Sequence, residues 1–351
     1  MSCVALPNAV RMANQTLERA LTWSGYEVSH VWGEGAHNGK QGTAVFPDAM
    51  RYLWKDWPKP VTTHATKNDY LNAILIPGEG WQLAGEGYGF TEGTVADASG
   101  KVYFTDVRSG NILKIQESGP PAVFASKLDK PSGQAFGPDG SLYTVLGSRI
   151  IKTTPNGKQS DLVTDLAGND LVVSKKGFVY ITSPPPTGSA DPSKVWMVSP
   201  DGKKTLVDEG LKFSNGITLS PDQSLLYIAD FRSHWVYSYQ VQPDGTLAHK
   251  QKYYWLQVPD TADDSGADGI RTDTDGRLYV ATRMGIQICD QAGRVNAIIP
   301  TPNGRIANLT FGGSDFSILY AACGDKVYFR KVKTHGANAW AAPVKPTPPR
   351  L

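Results

Sequence analysis

Six polar residues recur in phase along this 351-residue chain: Glu92, Gln134, Asn169, Asn215, Asp268 and Asn308. Each lies roughly 9 to 12 residues before a tyrosine inside a β-rich run, and the runs read GKVYFTD, GSLYTV, GFVYIT, SLLYIAD, GRLYVAT and SILYAAC. Taken singly, such a residue is a turn residue that satisfies exposed backbone groups, as Asn and Asp commonly do. Six in phase point to one shared place in a repeat, because equal repeat positions stand at equal positions around a common axis. Two carboxylates and several amides gathered there, with no Lys or Arg in the set, would repel and leave oxygens unsatisfied unless a cation sat among them. Oxygen-only ligands select a hard cation, Ca²⁺ first and Mg²⁺ or Mn²⁺ next, with Zn²⁺ less favoured for want of His or Cys. One Glu and one Asp balance a divalent ion and leave coordination positions for water and substrate, the pattern of a catalytic centre.

The elements that must hold these residues follow from the same repeat. Tyr103, Tyr143, Tyr180, Tyr227, Tyr279 and Tyr320 are spaced roughly 40 to 50 residues apart, the period of a four-stranded propeller blade. Each tyrosine run is followed by a second strand-like run (NILKI, RIIKT, KVWMV, WVYSYQV, GIQICD, KVYFRKV) and usually by a third such as AVFA or VNAII. That order predicts a β-meander repeated around a ring, hence an all-β fold: a six-bladed β-propeller over residues 64–335. An open edge invites pairing with other chains. The run Ile74 to Gln82, ILIPGEGWQ, is expected to close the ring as the outer strand of the last blade.

Outside the ring stand a short N-terminal α/β segment, residues 1–63, and a Pro-rich tail, residues 336–351, that reads as a linker-like end. Val10, Ala13, Leu17, Ala20 and Leu21 recur at helical spacing between Asn8 and Thr22. YEVSHVW reads as a strand, GEGAHNGKQG as a loop, and FPDAMRYLWKDW as a second helix with Pro47 near its start.

Composition narrows the function classes. Lys plus Arg at 35 against Asp plus Glu at 33 is not the basic balance of a nucleic-acid binder, so no nucleic-acid partner is expected. Cys3, Cys289 and Cys323 form no CxxC pair and read as free thiols. No apolar run approaches a membrane span and the first residues lack the features of a signal peptide, so a soluble chain without a membrane partner is expected.

Several stretches carry a family resemblance. TEG at the first blade, GND, SNGITLSPDQSLLYIAD and SGADGIRTDTDGRLYVAT resemble, in order and over about Gly85 to Arg330, the gluconolactonase, regucalcin (senescence marker protein) and lactonase superfamily of six-bladed propellers. The resemblance implies one metal ion in the tunnel. Glu92, Asn215 and Asp268 match its protein ligands, and Asn169 matches an asparagine that coordinates the metal or lies beside it. Asp268 also matches the carboxylate that serves as general base. Asn169, with Gln134 and Asn308, would line the substrate space. One departure concerns the substrate: members specialised for sugar lactones can carry an arginine two residues before the third-blade asparagine, where this chain has Ala167. Arg232 and Arg271 are the candidates to compensate, though both read first as surface or inter-blade residues. His234 reads as a packing residue, and Pro184 to Gly188 as a rigid loop.

A second, shorter resemblance covers residues 8–60, which are similar to the C-terminal end of an α/β-hydrolase of the esterase type, with His37 matching the triad histidine. No GxSxG elbow occurs in the sequence, so His37 has no nucleophile to serve and is expected to be idle. The reading that follows is a metal-dependent hydrolase of lactones or small esters acting on a small-molecule substrate. The rivals are a non-catalytic propeller that binds a partner and keeps a structural metal, and a propeller enzyme of the strictosidine-synthase or arylesterase kind.

Overall fold

The computed structural model describes residues 5–23, 26–33, 39–59, 68–186 and 188–348. The chain divides into two compact units, Met1–Glu79 and Gly80–Leu351.

The regular elements described in the first unit are helices: α1 spans Ala5–Trp23, α2 Gly39–Leu53 and α3 Asp69–Asn72. Two expectations need correction. YEVSHVW, residues 26–32, carries no strand, because no neighbouring segment among the described residues offers it a ladder. The second helix starts at Gly39 rather than at Phe46 and takes Pro47 into its interior. His37 lies outside the described residues. No helix among the described residues is long and apolar enough to cross a membrane.

The second unit consists of six four-stranded antiparallel sheets. Their innermost strands are Thr91–Ala96, Pro131–Phe136, Leu171–Val173, Ser214–Leu219, Ile270–Thr272 and Asn308–Gly312. The repeat tyrosines all fall on the second strand of their blades, as the six-bladed expectation requires. Alternation then builds the core, since successive side chains point to opposite faces of a blade. In the third blade Leu171, Val173, Val179 and Ile181 pack toward the second blade with Val145 and Ile150. Val172, Tyr180 and Val195 pack the other way, against Ile217, Leu226 and Ile228 of the fourth. Buried tyrosine hydroxyls are tethered: Tyr180 donates to the Gly245 carbonyl at 2.8 Å and Tyr279 to Asp273 Oδ2 at 2.9 Å.

The ring closes through an N-terminal strand in the last blade, but not through the expected run. Gln82–Glu86 pairs with Lys326–Lys331, Gln82 facing Phe329 and Glu86 facing Lys326. The expected run overlaps it only at Gln82. Pro77 has no N–H for a ladder and Gly78, at φ +81°, turns the chain, so the extended strand starts only beyond them.

The tail is not a free linker. Gly336 bridges Asp273, the Ala337 N–H donates to the Thr272 carbonyl at 2.9 Å, and Val344 N–H donates to Pro221 O at 2.8 Å. Gln223 Nε2 donates to Ala339 O at 2.7 Å, and the rings of Trp340 and Phe316 lie 6.1 Å apart. Backbone carbonyls and the Gln223 side chain of the propeller thus supply most of the partners of this Pro-rich segment.

Candidate functional site

In five of the six blades the polar residue near the start of the inner strand stands beside a glycine, Asn308 being the exception, and the glycine is a matter of space. A Cβ at Gly93, which sits at φ +55°, would come within 2.1 Å of the Ser132 carbonyl oxygen, and one at Gly216 within 2.1 Å of the Asp268 carbonyl oxygen. Only glycine allows the inner strands to approach this closely. Backbone bonds then run from blade to blade: Gly133 N–H to Asn169 O at 2.9 Å, and Gly269 N–H to Ala307 O at 2.8 Å. The side chains of the preceding residues are carried to the axis by this packing.

They converge on a cavity of about 290 Å³ at one end of the axis. Glu92, Asn169, Asn215 and Asp268, from four different blades, all line it. Phe90, Val107, Phe213 and Phe231 form apolar walls, with Ser132 and Arg232 completing the lining. Glu92 is buried and fixed: its Oε2 accepts from the Gly93 N–H at 2.8 Å and from Asn308 Nδ2 at 2.9 Å. Asp268 opens partly onto the cavity and is otherwise enclosed by protein.

Burial pushes the Glu92 carboxyl up to about 7; the charge of Asp170 adds to the rise, and the Gly93 N–H, the Asn308 amide and Arg271 oppose it. The Asp268 carboxyl is pushed well above the usual carboxylate range, first by burial, then by the charges of Glu92 and Asp170, against the pull of the Asn215 side chain and the Gly269 N–H. Both carboxyls thus gain proton affinity from burial and from neighbouring negative charge, the behaviour of acidic groups crowded into one site.

Beneath this floor lies a layer that reading one residue per blade does not reveal. Asp170 is buried and its carboxyl raised by desolvation; Oδ1 accepts from the Leu171 N–H at 2.8 Å, while Oδ2 stands 4.0 Å from Arg271 Nη1. Arg271 spans the tunnel, donating from Nη2 to the Thr94 carbonyl at 2.8 Å and from Nη1 to the Ile270 carbonyl at 2.7 Å. It is thus an axial residue and not a surface one. A signal was available: Arg271 occupies the inward slot opposite the repeat tyrosine that holds Val95, Ala135, Val172, Thr218 and Thr310 in the other blades, and a lone arginine among small uncharged equivalents marks a charge enclosed by protein. Arg232 is exposed, as its surface reading expects, but it also lines the cavity, with its guanidinium carbon 4.8 Å from the centre of the Phe213 ring.

Gln134 and Asn308 do not line this cavity. Asn308 sits under Glu92, where its Oδ1 accepts from Thr94 Oγ1 at 2.9 Å. Gln134 is fully buried and faces a smaller cavity of about 40 Å³ farther along the axis, which Arg271 and the tail residues Ala337 to Trp340 also line. His234 packs as expected, stacked on Trp255 at 4.2 Å.

No group of three or more His, Cys, Asp or Glu side chains is placed to hold a metal among the described residues. The convergent set is instead two carboxylates and two amides, all oxygen donors.

The chain is similar to several known proteins. A gluconolactonase from Zymomonas mobilis is 30% identical over 279 residues, 66% of this chain and 78% of the relative. A lactonase, drp35, from Staphylococcus haemolyticus is 29% identical over 226 residues, 59% of this chain and 65% of the relative, so slightly under two thirds of that protein's length is spanned. Among solved structures, a gluconolactonase from Xanthomonas campestris superposes with a TM-score of 0.67 at 22% identity over 76% of this chain and 93% of that one. Regucalcin, a calcium-binding protein from Agrobacterium tumefaciens, does so at 0.62 and 18% over 72% and 95%. These likenesses are of fold alone. Residues 90–323 match the family model described as the SMP-30/Gluconolactonase/LRE-like region, and the chain, with its six blades and four convergent oxygen donors, belongs to that family.

Proposed function

We propose that this protein is a metal-dependent hydrolase of lactones, of the gluconolactonase-like kind, or of small esters, with a divalent cation held at the axial cavity. The observation that carries the reading is the convergence of Glu92, Asn169, Asn215 and Asp268 on one space of about 290 Å³. The donor set fits such an ion. It offers oxygens only, and its two carboxylates, both raised by burial and by neighbouring negative charge, gain most from a positive charge between them. Glu92, Asn215 and Asp268 would hold the ion, with Asn169 as a fourth contact or near neighbour, and Ca²⁺ suits the set best. When bound, it supplies Lewis-acid polarisation of the substrate carbonyl and charge to offset the developing oxyanion.

The chain's own residues supply the rest. Asp268, partly open to the cavity, takes a proton from the attacking water. As the tetrahedral centre collapses, the ring oxygen leaves as an alkoxide and receives that proton, so that water has been added across the acyl–oxygen bond. Asn169 orients the substrate through its amide. Phe90, Phe213 and Phe231 exclude bulk water and confine the ring, which favours the reactive pose. Asn308 contributes through Glu92, whose carboxylate it holds in place. Ser and Cys nucleophiles take no part, and the esterase-like stretch around His37 is idle in this reading.

The test is acid release from a panel of lactones and esters, with the protein first stripped by chelator and then resupplied with Ca²⁺, Zn²⁺, Mg²⁺ or Mn²⁺. Hydrolysis that vanishes on stripping and returns with metal supports the reading. No hydrolysis of any member with metal present removes it and favours a non-catalytic partner-binding propeller.

A further inference from the structure

The cavity wall is unequal in its chemistry. Four of its residues, Phe90, Val107, Phe213 and Phe231, offer carbon only. Ser132, the one hydroxyl in the lining, already donates from Oγ to the Asn169 carbonyl at 3.0 Å. Little is left to hydrogen-bond the ring of hydroxyls on a sugar lactone. The volume, about ten times the share of one water in the liquid, holds a single small ring with one substituent.

Against this wall stands one cation. Arg232 is exposed, and its guanidinium lies over the face of Phe213, itself a wall residue. No carboxylate pairs with it among the described residues. Its neighbour Arg283 shows what a committed arginine looks like here: it lies over Phe231 but is tied to Asp264 by Nε at 2.9 Å and Nη2 at 2.8 Å. Stacking on an aromatic face leaves the guanidinium N–H groups, which lie in its plane, free for a planar two-oxygen partner. An anion at the mouth would also be set apart from the carboxylates of the floor, which repel it.

We infer that Arg232 is the specificity-determining residue of this cavity and binds a carboxylate on the substrate, so that the preferred substrates are small lactones with an apolar body and one carboxylate, in place of neutral polyhydroxylated lactones. The inference rests on the lactone-hydrolase reading for its catalytic form.

The experiment compares three lactones on the metal-loaded protein: a neutral apolar-substituted ring, the same ring bearing a carboxylate, and a neutral sugar lactone. The expected result is a kcat/KM for the carboxylate-bearing ring at least tenfold above each of the others. Arg232→Ala should abolish most of that preference through KM, and Arg232→Lys should restore part of it, since a charge-assisted bond is worth about tenfold or more. Arg283→Ala, which removes the same charge from a paired arginine, should keep the preference. Equal use of the three lactones, or equal losses in the two alanine variants, would overturn the inference. Should no lactone be hydrolysed, calorimetric binding of the same compounds separates the two ideas. Binding selective for the carboxylate and lost in Arg232→Ala supports the anchor while sinking the catalytic reading, and unselective binding overturns the anchor.

Discussion

Asn308 opens the innermost strand of the last blade and donates from Nδ2 to Oε2 of Glu92, on the innermost strand of the first, at 2.9 Å. The two residues are 216 positions apart in sequence, and this bond joins the ends of the ring directly beneath the cavity. The same asparagine accepts from Thr94 and from the Leu309 N–H. Truncating it leaves buried donors and an acceptor short of partners, each at a cost of about 1–3 kcal/mol. Asn308→Ala should therefore lower the unfolding free energy by about 3 kcal/mol in urea titrations and weaken metal retention at the same time. A variant as stable as the parent would show that water replaces the amide.

Asp268→Asn separates base from scaffold. Asn keeps the size of Asp and can still offer an oxygen, but it accepts no proton from water, and general-base catalysis is worth about 10² to 10⁴ in rate. Turnover should fall by that factor even as metal is raised to saturation. Stability of the stripped protein should not fall, because a buried carboxyl repelled by Glu92 and Asp170 has been removed. Full recovery of rate with excess metal would leave Asp268 as a ligand only.

The stripped protein should lose stability as pH rises. Glu92 holds its proton up to about 7 in the folded protein against 4.5 ordinarily, so the folded form binds that proton more tightly. Its contribution is fully present below about pH 4.5 and is lost as pH rises through about 7, a difference on the order of 3 kcal/mol. Asp268 acts in the same direction. Thermal unfolding in chelator between pH 4.5 and 8 should show a falling midpoint, and saturating Ca²⁺ should flatten or reverse the slope, since the ion favours the deprotonated pair. A chelated protein with a midpoint rising over that range would show that the pair is compensated some other way.

Removing residues 336–351 should destabilise the propeller. The segment contributes the Ala337, Ala339, Val344 and Thr347 backbone bonds to Thr272, Gln223, Pro221 and Gln291, and it walls the small axial cavity that Gln134 and Arg271 face. A loss of ~3 kcal/mol is expected from the bonds and the packing of Trp340. Hydrogen exchange should report it as faster exchange at the inner strands around Val172 and Thr218. An unchanged exchange pattern would make the tail a passenger.

Local sequence carried much of this protein's plan. The tyrosine period implied six blades, and the polar residue ahead of each tyrosine picked out Glu92, Asn169, Asn215 and Asp268, because a repeat converts sequence phase into position around an axis. What phase cannot supply is depth. Gln134 and Asn308 share the phase but lie off the cavity, one farther along the axis and one beneath Glu92, since the exact entry of each strand depends on bulges and on glycine contacts between blades. Arg271 and Arg232 look alike in composition, yet one lies half-buried across the tunnel and the other stands exposed at its mouth. Only packing of all six inner strands decides which side chain has water beside it. Ring closure and the docking of the tail are likewise tertiary outcomes: Gln82–Glu86 finds its ladder only on Lys326–Lys331, and the tail's bonds to Thr272, Pro221 and Gln223 come into reach only once the blades have assembled.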